Sequence, residues 1–457
     1  MNLPNGPRYS RFVRLLKFIF KPLEYLDETY QRYGDIVSIE RKNSPPLIYL
    51  ANPQAINRIF SADPGLFEYG GNVRAKSLMT YLWGSNSLML LDGASHRQVR
   101  KLLMPPFHHG NVNKYSQLID NITDRVTNNW TLNKPMPVRP SIEEITLQVI
   151  LQVVFGLEKG ERYDRLKKLI PSLLNTVSSP ASALLIFFSN LRKDWIPFSP
   201  WKRFVKIKEE VKQLIYDEII ARRKNSDNSD RTDILSLLIS AKDENGNGLS
   251  DDELHDQLMT LLLVGYETTV SGICWAFYWI HSLPEVRQKL LEELNTADSK
   301  DLDKIAKLPY LTAVCQESLR LYPVAIGASV RTFKYPTNIM GYDLPAGTSL
   351  IASIYLVHQR EDLYPQPKCF IPERFLQRQY TPYEYFPFGG GNRRCVGAAL
   401  AMLEMKLVIA NIVSNFELEL SNERPIAPVR RGLTIAPSPN LEIIATGLRP
   451  QKTPVFA

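Results

Sequence analysis

The chain has 457 residues, 44% apolar and 22% charged, a balance that excludes a disordered or disulfide-built protein and leaves ample apolar material for a large core. Its 55 basic and 47 acidic side chains give a net charge of +8, but no Lys/Arg stripe is dense enough for nucleic acid, which we exclude as a partner. The four cysteines, at 274, 315, 369 and 395, suit a reducing cytosol and lack the CxxC spacing of a zinc or dithiol site.

From the N-terminus, Arg11 to Lys21 is a basic amphipathic stretch, too short and too charged to span a bilayer and without a secretory cleavage site. It reads as a surface helix packing its Phe and Leu face on the domain, with weak peripheral membrane contact as the alternative. Residues 34–50 read as two short strands around a Pro turn. Helical periodicity then dominates from about 53 to 322, interrupted by a polar loop between Lys224 and Thr232. Asp243 to Gly248 imitates the start of a calcium loop, but position twelve is Leu254 and the acid falls one residue early at Glu253, so a polar turn is expected.

Ser250-Asp-Asp-Glu253 is a capping box, and an unbroken helical pattern follows it to Ser282, just before Pro284. At 1.5 Å per residue, these roughly 33 residues predict a helix of about 50 Å, enough to cross a domain. Residues 258–280 are apolar enough to span a membrane, yet Gly265, Glu267, Thr268 and Thr269 stand at their middle, which favours a buried core helix. Strand and turn character returns at 330–354 and again over about 415–450. One mainly helical domain with a minor β part is expected over residues 1–457, with no reductase domain.

Two segments carry chemistry. In Val264-Gly-Tyr-Glu-Thr-Thr269 an acid and two hydroxyls sit among apolar residues, where burial is costly unless they are bonded or used. Either they satisfy each other and the backbone at a kink, or Gly265 and the threonines open the helix around a small oxygen ligand while Glu267 passes protons inward. In Phe388-Gly-Gly-Gly-Asn-Arg-Arg-Cys395-Val-Gly397 a single cysteine stands in a basic glycine loop, 26 residues from Cys369. Gly389, Gly390, Gly391 and Gly397 let backbone approach the sulfur, and Arg393 and Arg394 bring positive charge that favours a thiolate held for a metal. The competing reading is a basic turn with an incidental cysteine. Haem iron is the cofactor that takes one protein thiolate, and the sulfur then favours O–O cleavage.

This loop resembles the haem-binding signature of the cytochrome P450 family, Phe-x-x-Gly-x-Arg-x-Cys-x-Gly, at Phe388, Gly391, Arg393, Cys395 and Gly397. Val264 to Thr269 resembles the family's oxygen-binding motif, with Val264 where a smaller residue is common. Glu317-Ser-Leu-Arg320 and Pro372-Glu-Arg374-Phe375 look like the elements that form a buried charged triad of Glu317, Arg320 and Arg374 steadying the cysteine loop. His96 and Arg100, one helical turn apart, match propionate donors together with Arg331 and Arg393, although the family often has Trp where His96 stands. Leu3-Pro-Asn-Gly-Pro7 matches the start of the fold.

The resemblance, most like soluble cyanobacterial members, implies a triangular helical domain with small β-sheets. Haem b would lie between the long distal helix and the proximal loop, ligated by Cys395, with Glu267 and Thr268 delivering protons. It implies a monooxygenase that inserts one atom of O2 into an apolar substrate such as a long-chain fatty acid or terpene. Electrons would come from NADPH through a ferredoxin or flavodoxin-type donor on the basic proximal face. Candidate pocket residues are Val264, Ala325, Ile326, Ile435, Phe187 and Phe188, with the apolar stretch 78–91, and Arg41, Lys42 or Arg74 could anchor a carboxylate. A cytoplasmic monomer is expected. A peroxide-driven peroxygenase and a non-catalytic haem sensor are the rivals, and the Glu267–Thr268 pair argues against both.

Overall fold

The computed structural model describes residues 2–41, 44–69, 78–178, 199–224, 231–298 and 300–450. The helices that frame the site and its surroundings are α1 (Arg11–Phe20), α2 (Gly93–Leu103), α3 (Val138–Phe155), α4 (Glu161–Ser178), α5 (Pro200–Lys224), α6 (Asp251–Ser282), α7 (Pro309–Leu321) and α8 (Ala398–Asn415). The first strands are β1 (Ile36–Arg41), β2 (Ser44–Leu50), β3 (Phe67–Glu68) and β4 (Pro135–Pro137). Four more follow α7: β5 (Arg331–Phe333), β6 (Thr337–Ile339), β7 (Tyr342–Leu344) and β8 (Ser349–Ala352). The last are β9 (Phe416–Leu420), β10 (Pro428–Arg431), β11 (Thr434–Pro437) and β12 (Glu442–Leu448).

The strands fall where alternation and turn residues place them, with two exceptions. β3 and β4 hold only two and three residues inside the helical stretch, and each exists by pairing with a chain-distant partner, Phe67 opposite Phe333 and Met136 opposite Ile443. Segments this short carry no period of their own. The main sheet runs β1-β2-β8-β5-β3, a second runs β4-β12-β9, and β6-β7 and β10-β11 are hairpins.

Helix α6 is the axis of the molecule. Ser250 Oγ accepts from the Glu253 N–H at 3.3 Å while Glu253 accepts from the Ser250 N–H at 2.9 Å, and Pro284 opens the next helix beyond its end. The polar turn before it closes on Asp243, whose carboxylate takes the N–H groups of Asn245 and Asn247 at 2.9 and 2.8 Å. α6 packs on α3, α5, α7 and α8, and Leu258, Leu262, Ile273 and Trp275 have no exposed surface. Each such side chain contributes about 1.5–3 kcal/mol of burial free energy. α6 and α8 are both long and apolar enough to cross a membrane, but most of each apolar window lies inside the protein, as a core helix requires.

A smaller apolar core lies under the five-stranded sheet, where Ile48, Leu50 and Leu350 are fully buried. α1 meets its expected packing in part. It buries Ile19 and packs Phe18 against the smaller core, with Leu15 and Leu16 half-buried, but leaves Phe12 62% and Phe20 56% exposed, so its apolar face is seated on the domain only in part.

Candidate active site

The cysteine loop is shaped by close backbone contacts. Gly391 has φ +65°, and a Cβ there would stand 2.6 Å from the Phe60 carbonyl oxygen, so only glycine fits the turn against residues 53–61. The Cys395 N–H donates to the Phe388 carbonyl at 2.9 Å. Cys395 is exposed as a residue, yet enough protein surrounds its thiol that burial raises it. The Gly397 N–H, Arg100 and Arg394 oppose that burial effect. The sequence expectation that Arg393 charges this loop is therefore corrected: its guanidinium turns to the Leu88 carbonyl at 3.1 Å and the Asp92 carboxylate at 3.0 Å.

His96 and Arg100 on α2, Arg331 on β5 and Arg393 form one cluster of nitrogen donors, three of them cationic. Burial first, then Arg393 and Arg100, lower His96 to about 4, so it stands as a neutral imidazole at neutral pH. Burial also lowers Arg331, and it lowers Arg393 to about 10, with Arg331 and Arg100 adding repulsion and Asp92 opposing it. Arg331 bonds the Gly390 carbonyl at 3.1 Å and lies 4.9 Å over the Phe60 ring. Nε of Arg331 and Nε of Arg393 are both buried without a hydrogen-bond partner. Buried donors in excess of acceptors, mutually repelling, fit a group that brings two carboxylates. An enclosed sulfur beside them fits its metal.

The loop rests on the charged triad. Arg320 grips Glu317 with two bonds of 2.7 and 2.9 Å, and Arg374 Nε adds a third at 3.1 Å. Glu317 and Arg320 have no exposed surface, and Arg320 spends its remaining donors on the carbonyls of His358, Pro367 and Cys369. His358, lowered to about 3 by burial and Arg320, is neutral and accepts the Phe386 N–H at 3.1 Å. Phe386 in turn accepts from the Gly389 N–H at 2.9 Å. His358 thus joins the triad to the loop, a link the sequence did not show.

On α6, Thr268 Oγ1 donates to the Val264 carbonyl at 2.6 Å and Thr269 Oγ1 to the Gly265 carbonyl at 2.8 Å. Glu267 does not bond Thr268. Its Oε1 takes Arg139 of α3 at 2.7 Å and Arg431 of β10 at 3.2 Å, and Arg139 also binds Glu143 at 2.6 Å. A cleft of about 320 Å³ lined by Pro140, Glu143, Lys167 and Tyr266, among others, brings solvent to this network.

A family model, Cytochrome P450, matches residues 4–444. The chain belongs to the cytochrome P450 family. A putative cytochrome P450 135B1 of Mycobacterium tuberculosis is 36% identical over 428 residues, covering 93% of this chain and 88% of that protein. A putative cytochrome P450 138 of the same organism is 31% identical over 438 residues, covering 96% and 95%. Among solved structures, retinoic acid bound cyanobacterial CYP120A1 aligns with TM-score 0.82 and 24% identity over 97% of this chain and 99% of that one. The heme domain of cytochrome P450DA gives TM-score 0.82 at 19% identity, covering 98% of each chain.

As a P450 monooxygenase the protein uses haem b and O2, with reducing equivalents from redox partners. When bound, the haem would supply dioxygen activation, which a thiolate ligand favours. Cys395 would hold the iron, and His96, Arg100, Arg331 and Arg393 the propionates.

The pocket expectations divide. Val264 and Ala325 are half-buried and remain candidate wall residues. Ile326 and Ile435 pack in the core beneath the main sheet, Ile435 with no exposed surface. In the stretch 78–91, Leu82, Trp83 and Leu88 likewise belong to the main core. Arg41 is tied to the Pro45 and Pro46 carbonyls at 2.8 and 3.2 Å and is no free anchor. Phe187, Phe188, Lys42 and Arg74 lie outside the described residues. Arg139, Glu143, Arg431 and His358 are functional candidates that sequence reasoning missed.

Proposed function

We propose that this P450 oxidises an apolar small molecule of the fatty acid or terpene class, using O2 and electrons from a separate ferredoxin or flavodoxin-type donor. Cys395 would be the iron ligand of this reading, Thr268 holds a proton at its hydroxyl, and Glu267 resupplies it from solvent. The observation that carries the reading is the setting of Glu267: a buried carboxylate on the distal helix, held by Arg139 and Arg431 beside an open cleft. A proton carrier needs both a store and a route to water.

In this setting Glu267 turns to reach inward, and Glu143 keeps the arginines neutralised while it does. An apolar substrate suits the half-buried Val264 and Ala325 walls. The structural neighbour bound to retinoic acid, an apolar terpenoid acid, is in keeping with that class. The net charge of +8 favours an acidic electron donor. A single-domain cytoplasmic monomer completes the proposal.

The test is a spectral titration against fatty acids and sesquiterpenes, followed by turnover under labelled O2 with a ferredoxin system. One labelled oxygen in the product supports the reading. Product formed only with peroxide would shift it to a peroxygenase, and spectral binding without any product to a sensor.

A further inference from the structure

We infer that α1 is a lipid-surface docking element, which seats the protein on an anionic membrane beside the hairpin β10–β11. Residues 8–21 carry five basic side chains and no acid. Lys17 and Lys21 are paired with Glu28 and Glu24, while Arg14 bonds the carbonyls of Pro7 and Glu40, which leave its charge uncancelled. Arg8 and Arg11 are exposed and add to that charge. Phe12, Val13 and Phe20 of the same helix are exposed, and their positions on the helix put them on one face. Large apolar side chains set among unneutralised cations match one chemistry, acyl chains beneath anionic headgroups.

The helix is fixed to the fold, so this face is a presented surface and not a frayed end. Just before it, Asn5 accepts the Ser38 N–H at 3.0 Å, and a Cβ on Gly6 would fall 1.7 Å from the Ser38 carbonyl oxygen, a crossing that needs glycine. On its inner side, Arg430 of β10 donates to the Phe18 carbonyl at 3.1 Å and lies 4.4 Å over the Phe18 ring. The next residue, Arg431, reaches Glu267, and Leu433 at the hairpin turn is exposed. A membrane-seated α1 therefore places lipid next to a hairpin that touches the distal helix. Apolar substrates concentrate in that phase. The inference does not depend on which substrate the protein oxidises or on the proton route.

The test is sedimentation of the full-length holoprotein with vesicles of phosphatidylcholine alone or mixed with phosphatidylglycerol. Binding to the anionic vesicles, weakened by salt, is expected. The double variant Phe12→Ser/Phe20→Ser, whose exposed sites leave the thermal midpoint and haem spectrum unchanged, should bind at least about tenfold more weakly. Arg8→Glu/Arg11→Glu should lose the anionic preference. Equal sedimentation with both vesicle types, or a serine variant that binds like the parent, overturns the inference. So does a serine variant that changes only the molecular mass in solution, because the face would then pair two copies of the chain.

Discussion

Two buried glutamates, Glu317 behind the cysteine loop and Glu267 on the distal helix, are each held by two arginines and differ in everything around them. Glu317 has no exposed surface, both of its oxygens are bonded, and the Ile371 N–H adds a further bond at 2.9 Å. Glu267 uses one oxygen for both arginines and stands beside a solvent cleft, and Arg139 keeps one buried nitrogen without a partner. The first arrangement is closed and over-determined, as a scaffold for a metal ligand must be. The second has slack and an exit, as a proton carrier must have. Identical charge types thus give rigidity on one side and exchange on the other, decided by how many bonds are left unfilled.

The largest effect should come from breaking the closed side. Glu317→Ala leaves Arg320 and Arg374 buried and uncompensated and should cost about 3–5 kcal/mol, read as a lower denaturant midpoint with loss of the thiolate-ligated haem spectrum. A variant that keeps both would place the triad outside the loop's support.

Next is Glu404 of α8, fully enclosed beside Thr146 of α3. Burial pushes its carboxyl up to about 8, and Oε1 has no hydrogen-bond partner. The folded protein therefore holds a proton that the unfolded chain releases above its ordinary value near 4.5. This stability is full below that value and is lost as pH rises through 8, a fall of about 3 kcal/mol between pH 5 and 8. Glu404→Gln should flatten that slope in urea titrations and leave the variant more stable than the parent at pH 8. An unchanged slope would mean that Glu404 is ionised in the fold.

On the open side, Glu267→Gln should lower O2-dependent turnover about a hundredfold while substrate binding spectra stay as they are, and the solvent isotope effect should change. Thr268→Ala should divert electrons from product to reduced oxygen without a comparable loss of electron uptake. Unchanged coupling would remove Thr268 from the relay.

The difference between the two sides also explains what the sequence could show. The capping box at Ser250 and Glu253, the α6 boundaries and the cysteine loop depend on neighbours within a few residues, and they were legible. Glu267 meets Arg139 and Arg431 across 128 and 164 residues, and His358 meets Phe386 across 28, so no local pattern announces them. The pocket expectations at Ile326 and Ile435 are illegible for a related reason. An apolar residue at a suggestive position looks the same in sequence whether it faces a ligand or the core, and both residues lie in the apolar cluster beneath the main sheet.

The smallest effect belongs to Glu143, and it bears most directly on how the open side works. Arg139 binds Glu143 at 2.6 Å and Glu267 at 2.7 Å, and Arg431 lies 3.9 Å from Glu143. In the proposed relay Glu267 leaves to carry a proton, and Glu143 is then the charge that remains for both arginines. Glu143→Gln removes that reserve, so the arginines hold Glu267 more tightly and the exchange slows. Turnover should fall only several-fold, and adding Arg139→Gln should restore part of it, because the grip on Glu267 is then relaxed. If the double variant is instead slower than Glu143→Gln alone, Arg139 assists the proton directly and the arginine grip is part of the route.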